Sequence, residues 1–150
     1  MQFKAEYYAV LEALATGDKT VSEIAELVDM EPHEVESILS SLTGLGLVER
    51  REKGFLFKKE VYTMTGRGWE VLHVWRQQVR ETMERVVELR QQGRAREAEA
   101  LLEPLGPVLP LLLTLGLLDM SLYAAAVGGL PSQEPAPEEV EEFDVEDAEF

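Results

Sequence analysis

The 150-residue chain is long enough for one domain with an appendage, and its 45% hydrophobic residues are enough for a sizeable core, which excludes global disorder. Fourteen Lys and Arg face twenty-nine Asp and Glu, a formal charge of −15, which argues against a generic polyanion binder. The absence of Cys excludes disulfides, Cys-ligated zinc and thiol catalysis, and the only histidines, His33 and His73, are too far apart for a His-rich metal site.

The first element is expected to be a helix over 3–16, with Tyr7, Val10, Leu11 and Leu14 at helical spacing and Gly17 ending the run. An acidic residue early and no long apolar core set this start apart from a secretory signal, and a cytoplasmic location is expected. Thr20-Val21-Ser22-Glu23 then reads as a capping box opening a second helix, whose buried stripe is Ile24, Leu27 and Val28. Pro32 sits where a first helical residue tolerates a missing N–H, and a third helix over about 32–44 buries Val35, Ile38, Leu39 and Leu42. Removing that stripe leaves His33, Glu34, Glu36, Ser37, Ser40 and Ser41, a face without Arg or Lys.

The pattern then changes period. Leu47–Arg51 reads as a strand, Glu52-Lys53-Gly54 as a turn, and Phe55–Tyr62 as the return strand, with Phe55 and Phe57 on one face directed inward. Arg50, Arg51, Lys53, Lys58 and Lys59 fall within ten residues, and 51–69 form the one positive island, with five bases against two acids. Such a hairpin suits a phosphate backbone, although charge on a sheet edge also deters strand pairing.

Thr65 caps a long helix over about 66–92. Its stripe is Trp69, Leu72, Trp75 (or Val74), Val79, Met83 and Val86, continuing to Leu89, and Arg80–Glu84 and Glu81–Arg85 are spaced as i,i+4 pairs. A helix of this length projects beyond a small head, so its stripe needs a cover: a second copy, residues 104–130 of the same chain, or both together. A short helix over Arg94–Glu103 follows. Residues 104–130 carry one charge, Asp119, and have the hydropathy of a membrane span. Pro104, Pro107, Pro110, Gly116 and Asp119 argue instead for two short apolar helices, about 107–116 and 119–128, packed on the long helix. Residues 134–150 hold nine acids and no base, interleaved with Val140, Phe143, Val145 and Phe150, and read as disordered in isolation.

Three helices, a hairpin and a long helix follow the winged helix-turn-helix order. TVSEIAELVDMEPHEVESILSSLTGLGLVER resembles the helix-turn-helix of MarR-like, PadR-like and related archaeal regulators, with its capped helix, short turn, Pro-started helix and "G-L-V-x-R" ending. VYTMTGRGWEVL resembles the segment that leaves the wing in those families, and the resemblance covers about residues 3–92. An archaeal source is implied, and a chain without Asn or Cys and with more Arg than Lys suits a hot environment.

The fold expected is mainly α with a small two-stranded wing: a winged helix-turn-helix domain at 1–65, a helical dimerisation layer at 66–130 and an acidic tail at 131–150. The resemblance implies a homodimeric transcriptional regulator of double-stranded DNA. His33, Glu34, Ser37, Ser40 and Ser41 would read bases from the major groove, and Arg50, Arg51, Lys53, Lys58 and Lys59 would grip phosphate. Trp69, Leu72, Trp75, Val79, Met83 and Val86 would form the dimer interface. The acidic third-helix face also supports an adaptor that binds a basic protein through that face and the tail. No catalytic motif, metal site or cofactor signature stands out, so a non-enzymatic protein without cofactor is expected.

Overall fold

A computed structural model describes residues 1–128. The acidic tail and its expected roles lie outside the described residues.

Helix α1 (Ala5–Ala15) and α2 (Val21–Val28) are joined by a loop in which Lys19 pairs with Tyr62. The Thr20 capping box is present: the Glu23 N–H donates to Thr20 Oγ1 at 3.1 Å, and the Thr20 N–H donates to Glu23 Oε1 at 2.8 Å. Asp29 ends α2 at φ 59°, a left-handed residue that turns the chain into α3 (Pro32–Gly44). Val35, Ile38, Leu39 and Leu42 of α3 are buried, as the spacing requires. Strands β1 (Val48–Lys53) and β2 (Lys59–Met64) pair antiparallel, from Val48↔Met64 at the base to Lys53↔Lys59 at the end. The Lys19 bridge adds a third short segment to the other edge of β2. This is a winged helix-turn-helix.

Helix α4 (Gly66–Gln91) follows the wing, capped by Thr65, whose hydroxyl accepts from the Gly68 N–H and donates to Gly46 O. Gly68 lies so close to the start of the wing that a Cβ there would fall 2.1 Å from Leu47 O and 2.6 Å from Met64 Cγ. Gly68→Ala is expected to cost about 3 kcal/mol, because the obstructing atom is backbone and cannot turn aside. Gly66→Ala, where a Cβ meets nothing within 4 Å, serves as the control. Urea unfolding checks the pair, and equal midpoints would contradict the close packing.

The chain continues through α5 (Ala95–Leu102), a 3-10 segment (Glu103–Val108), α6 (Leu109–Thr114) and α7 (Met120–Val127). Asp119 caps α7 by accepting from the Leu122 N–H at 2.7 Å. The apolar stretch after Pro104 therefore folds as short pieces, and among the described residues no helix is long and apolar enough to cross a membrane. Its packing differs in part from expectation. Within this stretch α7 lies along α4, while the 3-10 segment packs on α1 and α5. One apolar cluster runs from Tyr8 through Leu72, Trp75 and Met83 to Ala126, so the head and the added helices share a core.

That shared core covers most of the stripe expected at the dimer interface. Leu72, Trp75, Val79, Met83 and Val86 are all buried within a single chain. Trp75 meets Phe3 edge-on with ring centroids 5.3 Å apart. These five side chains are covered by their own chain. Trp69 departs in the other direction and is 46% exposed. Of the pairs expected along α4, Arg85 meets Glu88 instead of Glu81.

Candidate functional site

The wing and α3 bound one groove of about 690 Å³, lined by Ser40 and Thr43 of α3, Val48, Glu49 and Arg50 of β1, and Tyr62 and Thr65. Alternation along the strands creates it: Val48, Arg50 and Glu52 share a face with Tyr62, and the base of that face sits over the C-terminal half of α3. Ser40 and Arg50, expected on separate elements, are thus brought to one groove. Thr43, Tyr62 and Thr65 were not foreseen there. The Thr43 hydroxyl is already committed, donating to Leu39 O at 2.7 Å.

His33, Glu34, Glu36, Ser37, Ser40 and Ser41 are all exposed on α3. Glu34 is partly engaged, because its carboxylate accepts from the Glu31 N–H at 3.2 Å and closes the start of the helix. With Glu31 and Glu36 it makes the start of α3 negative, and the exposed face carries no cation.

The wing cations are arranged differently from bare phosphate grips. Arg50 lies 3.6 Å from Glu60, Arg51 3.4 Å from Glu49, and Lys58 3.9 Å from Glu52. These are exposed pairs of little individual strength that give way readily to a stronger anion. Lys53 Nζ lies 2.9 Å from Asp18 Oδ2. Its hydrogen bond, followed by that from Thr63, holds the Asp18 carboxyl below the usual carboxylate range. A group depressed in this way contributes stability above its unfolded pKa, and the contribution is lost as pH falls through the folded value. The pair ties the outer part of the wing to the α1–α2 loop. Among the described residues, Lys59 is the one wing cation with no carboxylate within ion-pair distance.

The wing tip overturns one expectation. Strand pairing stops at Lys53↔Lys59, so residues 54–58 form a loop. Gly54 takes φ 109°, and a Cβ there would fall 2.2 Å from Phe57 O, so only glycine makes this turn. Phe55 and Phe57 are therefore not inward core residues, and Leu56 between them is exposed as well. Phe55, Leu56 and Phe57 stand 94%, 82% and 89% exposed.

Two features behind the head were not legible in the sequence. Glu12, in the middle of α1, is fully buried and accepts two hydrogen bonds from Arg76, at 2.9 Å from Nε and 2.7 Å from Nη2. Burial, and then the charge of Glu12, push the Tyr8 hydroxyl well above its ordinary range. The second feature is a cavity of about 430 Å³ between α1, the helix-turn-helix turn and the added layer, lined by residues including Ala9, Met30, Val108 and Leu111.

Residues 3–55 match the helix-turn-helix family described as Cmi2, C-terminal, a match that covers roughly a third of the chain and takes in all three helices of the head and β1. Among solved structures, the chain is similar to PadR of Bacillus subtilis in complex with operator DNA, at 24% identity and a TM-score of 0.43. That match covers 48% of this chain and 47% of the PadR chain, so it spans about half of each. No curated protein sequence matches the chain.

Proposed function

We propose that the chain is a DNA-binding transcriptional regulator of winged helix type, with α3 entering the major groove and the wing gripping phosphate. The observation that carries this reading is the single groove shared by Ser40 on α3 and Arg50 on the wing, in a head whose sequence matches a helix-turn-helix family. One surface then presents hydroxyls for base edges beside a cation for the backbone, the division of labour that sequence-specific binding needs. Lys58, Lys59, Arg51 and Lys53 extend the cationic part along the hairpin. Glu36 on the exposed face suits a cytosine amino group, whereas Glu34 is held by its own helix start.

Recognition of a symmetric operator would take two copies. With the inner stripe of α4 already covered, the homodimer we propose uses outer residues of that helix, Trp69 first among them. Analytical ultracentrifugation of the full chain checks the dimer.

The regulator reading is tested by selection from a pool of random duplexes with the full chain. Enrichment of a defined motif is the expected result, together with relaxed preference at single positions when Ser37 and Ser40 are changed to Ala. A pool that stays random after several rounds would contradict the reading.

The negative start of α3 favours a second reading, an adaptor that binds a basic protein through the acidic face. Glu34→Ala with Glu36→Ala distinguishes the two. The change weakens capture of a basic protein partner and leaves DNA binding untouched if that face is the adaptor surface, and alters DNA binding if the face enters the major groove.

A further inference from the structure

The exposed tip of the wing is an apolar cap on a basic stem. Phe55, Leu56 and Phe57 are the three most exposed large hydrophobic side chains among the described residues. Arg51, Lys53, Lys58 and Lys59 flank them directly. We propose that this tip is the docking surface for the chain's own residues 134–150, which would cover the aromatic cap and screen the wing cations.

Three observations select this occupant. The first is composition. Residues 134–150 combine nine carboxylates with Val140, Phe143, Val145 and Phe150, so they offer both halves of what the tip presents. The second is the charge of the remaining surface. Residues 1–50 carry ten acids against three bases, and 70–103 carry seven against six, so 51–69 is the stretch of the described chain with a clear positive excess. An acidic segment is repelled by the head and attracted to the wing.

The third is reach. The Arg90 Nε–H donates to Ala126 O at 2.5 Å, so the end of α7 lies against the far end of α4 from the wing. From Gly66 to Arg90 the helix runs roughly 36 Å at ~1.5 Å per residue. The hairpin adds up to about 20 Å at ~3.4 Å per residue. Phe143 lies fifteen residues beyond Gly128, a span of up to about 50 Å, and Phe150 lies farther still. Phe150, twenty-two residues beyond Gly128, spans up to about 75 Å against the roughly 56 Å of helix and hairpin, so the end of the segment reaches the tip within one chain, whereas Phe143 at full extension falls just short of it. The contact stands whether or not the wing binds DNA. If it does, the segment competes with phosphate for the same cations, and the competition weakens with salt.

The absence of Cys gives a direct test. A nitroxide attached to full-length Ala148→Cys is expected to broaden the amide resonances of residues 53–59 at low ionic strength. The broadening should fall at least threefold in 0.5 M salt, and also in the Phe55→Ser/Phe57→Ser variant, whose unchanged core resonances would report an intact fold. A sample mixing isotope-labelled chain without nitroxide and unlabelled chain with it separates the possible occupants. Broadening confined to the singly prepared sample supports the contact within one chain. Equal broadening in the mixed sample would assign the tip to a second copy and overturn the proposal. Wing resonances indifferent to the nitroxide would overturn it outright.

Discussion

Replacing Arg76 with Met is expected to lower the stability of the protein by about 3–5 kcal/mol, the cost of leaving a buried carboxylate without its counter-charge. Glu12 has no exposed surface, and its two oxygens each take one hydrogen bond from the guanidinium. Met keeps most of the volume of the Arg stem, so the loss reflects charge more than a cavity. The reverse change is milder. The Arg76 side chain is 39% exposed and can turn to water, so Glu12→Gln is expected to cost about 1–3 kcal/mol. The double variant Glu12→Met/Arg76→Met should recover most of the loss, because two packed apolar side chains replace a pair whose desolvation offsets much of its attraction. Chemical denaturation of the three variants checks this order. A loss below about 1 kcal/mol for Arg76→Met would show that the Glu12 carboxylate finds water or another donor. The pair joins α1 of the head to α4, so its loss should also loosen the head on the long helix.

The second large effect is expected at the wing. Changing Arg50, Arg51, Lys58 and Lys59 to Ala should weaken DNA binding about 10²–10³-fold near 0.1 M salt, and should reduce the slope of log K against log salt by up to about 3.6, the counterions released by four phosphate contacts. The carboxylate pairs of Arg50, Arg51 and Lys58 reduce this somewhat, since each must open before its cation meets phosphate. Lys59 has no such pair and should give the largest single effect of the four. None of these side chains is buried, so thermal unfolding of the variant should match the parent closely.

Local signals in the sequence located the elements well because they act within one turn of chain. The Thr20 capping box, Pro32 at the start of α3, and the spacing of Val35, Ile38, Leu39 and Leu42 each appear where they were expected. The wing tip misled for an equally local reason. Phe-Leu-Phe beside a glycine has the composition of a strand, and composition does not say where pairing stops. The Gly54 turn closes against the Phe57 carbonyl, and that geometry ends the ladder at Lys53↔Lys59. The α4 stripe was legible as a buried face, but periodicity says nothing of what buries it. A second copy and the same chain leave the same pattern in Leu72, Trp75 and Val79. Glu12 was hidden because its partner is 64 residues away. The available signal was a lone acid inside the apolar run Val10-Leu11-Glu12-Ala13-Leu14, which could have prompted a search for a buried cation.

In the candidate site, the exposed face of α3 and the basic character of the hairpin were legible. Their meeting in one groove was not, because it depends on the alternation that places Arg50 with Val48 on the face above Ser40. The ties between Lys53 and Asp18 and between Thr65 and Gly46 were equally out of reach of local pattern, although both fix the wing against the head.

The proposed binding of duplex DNA by the α3–wing surface rests on the groove shared by Ser40 and Arg50. A fluorescence-anisotropy titration of the full chain against genomic DNA fragments at two salt concentrations, with the four-cation wing variant alongside, tests it most directly. Steeply salt-dependent binding that the wing variant loses is the predicted result. Binding no stronger than non-specific levels at low salt, or binding that the wing variant retains in full, would contradict it.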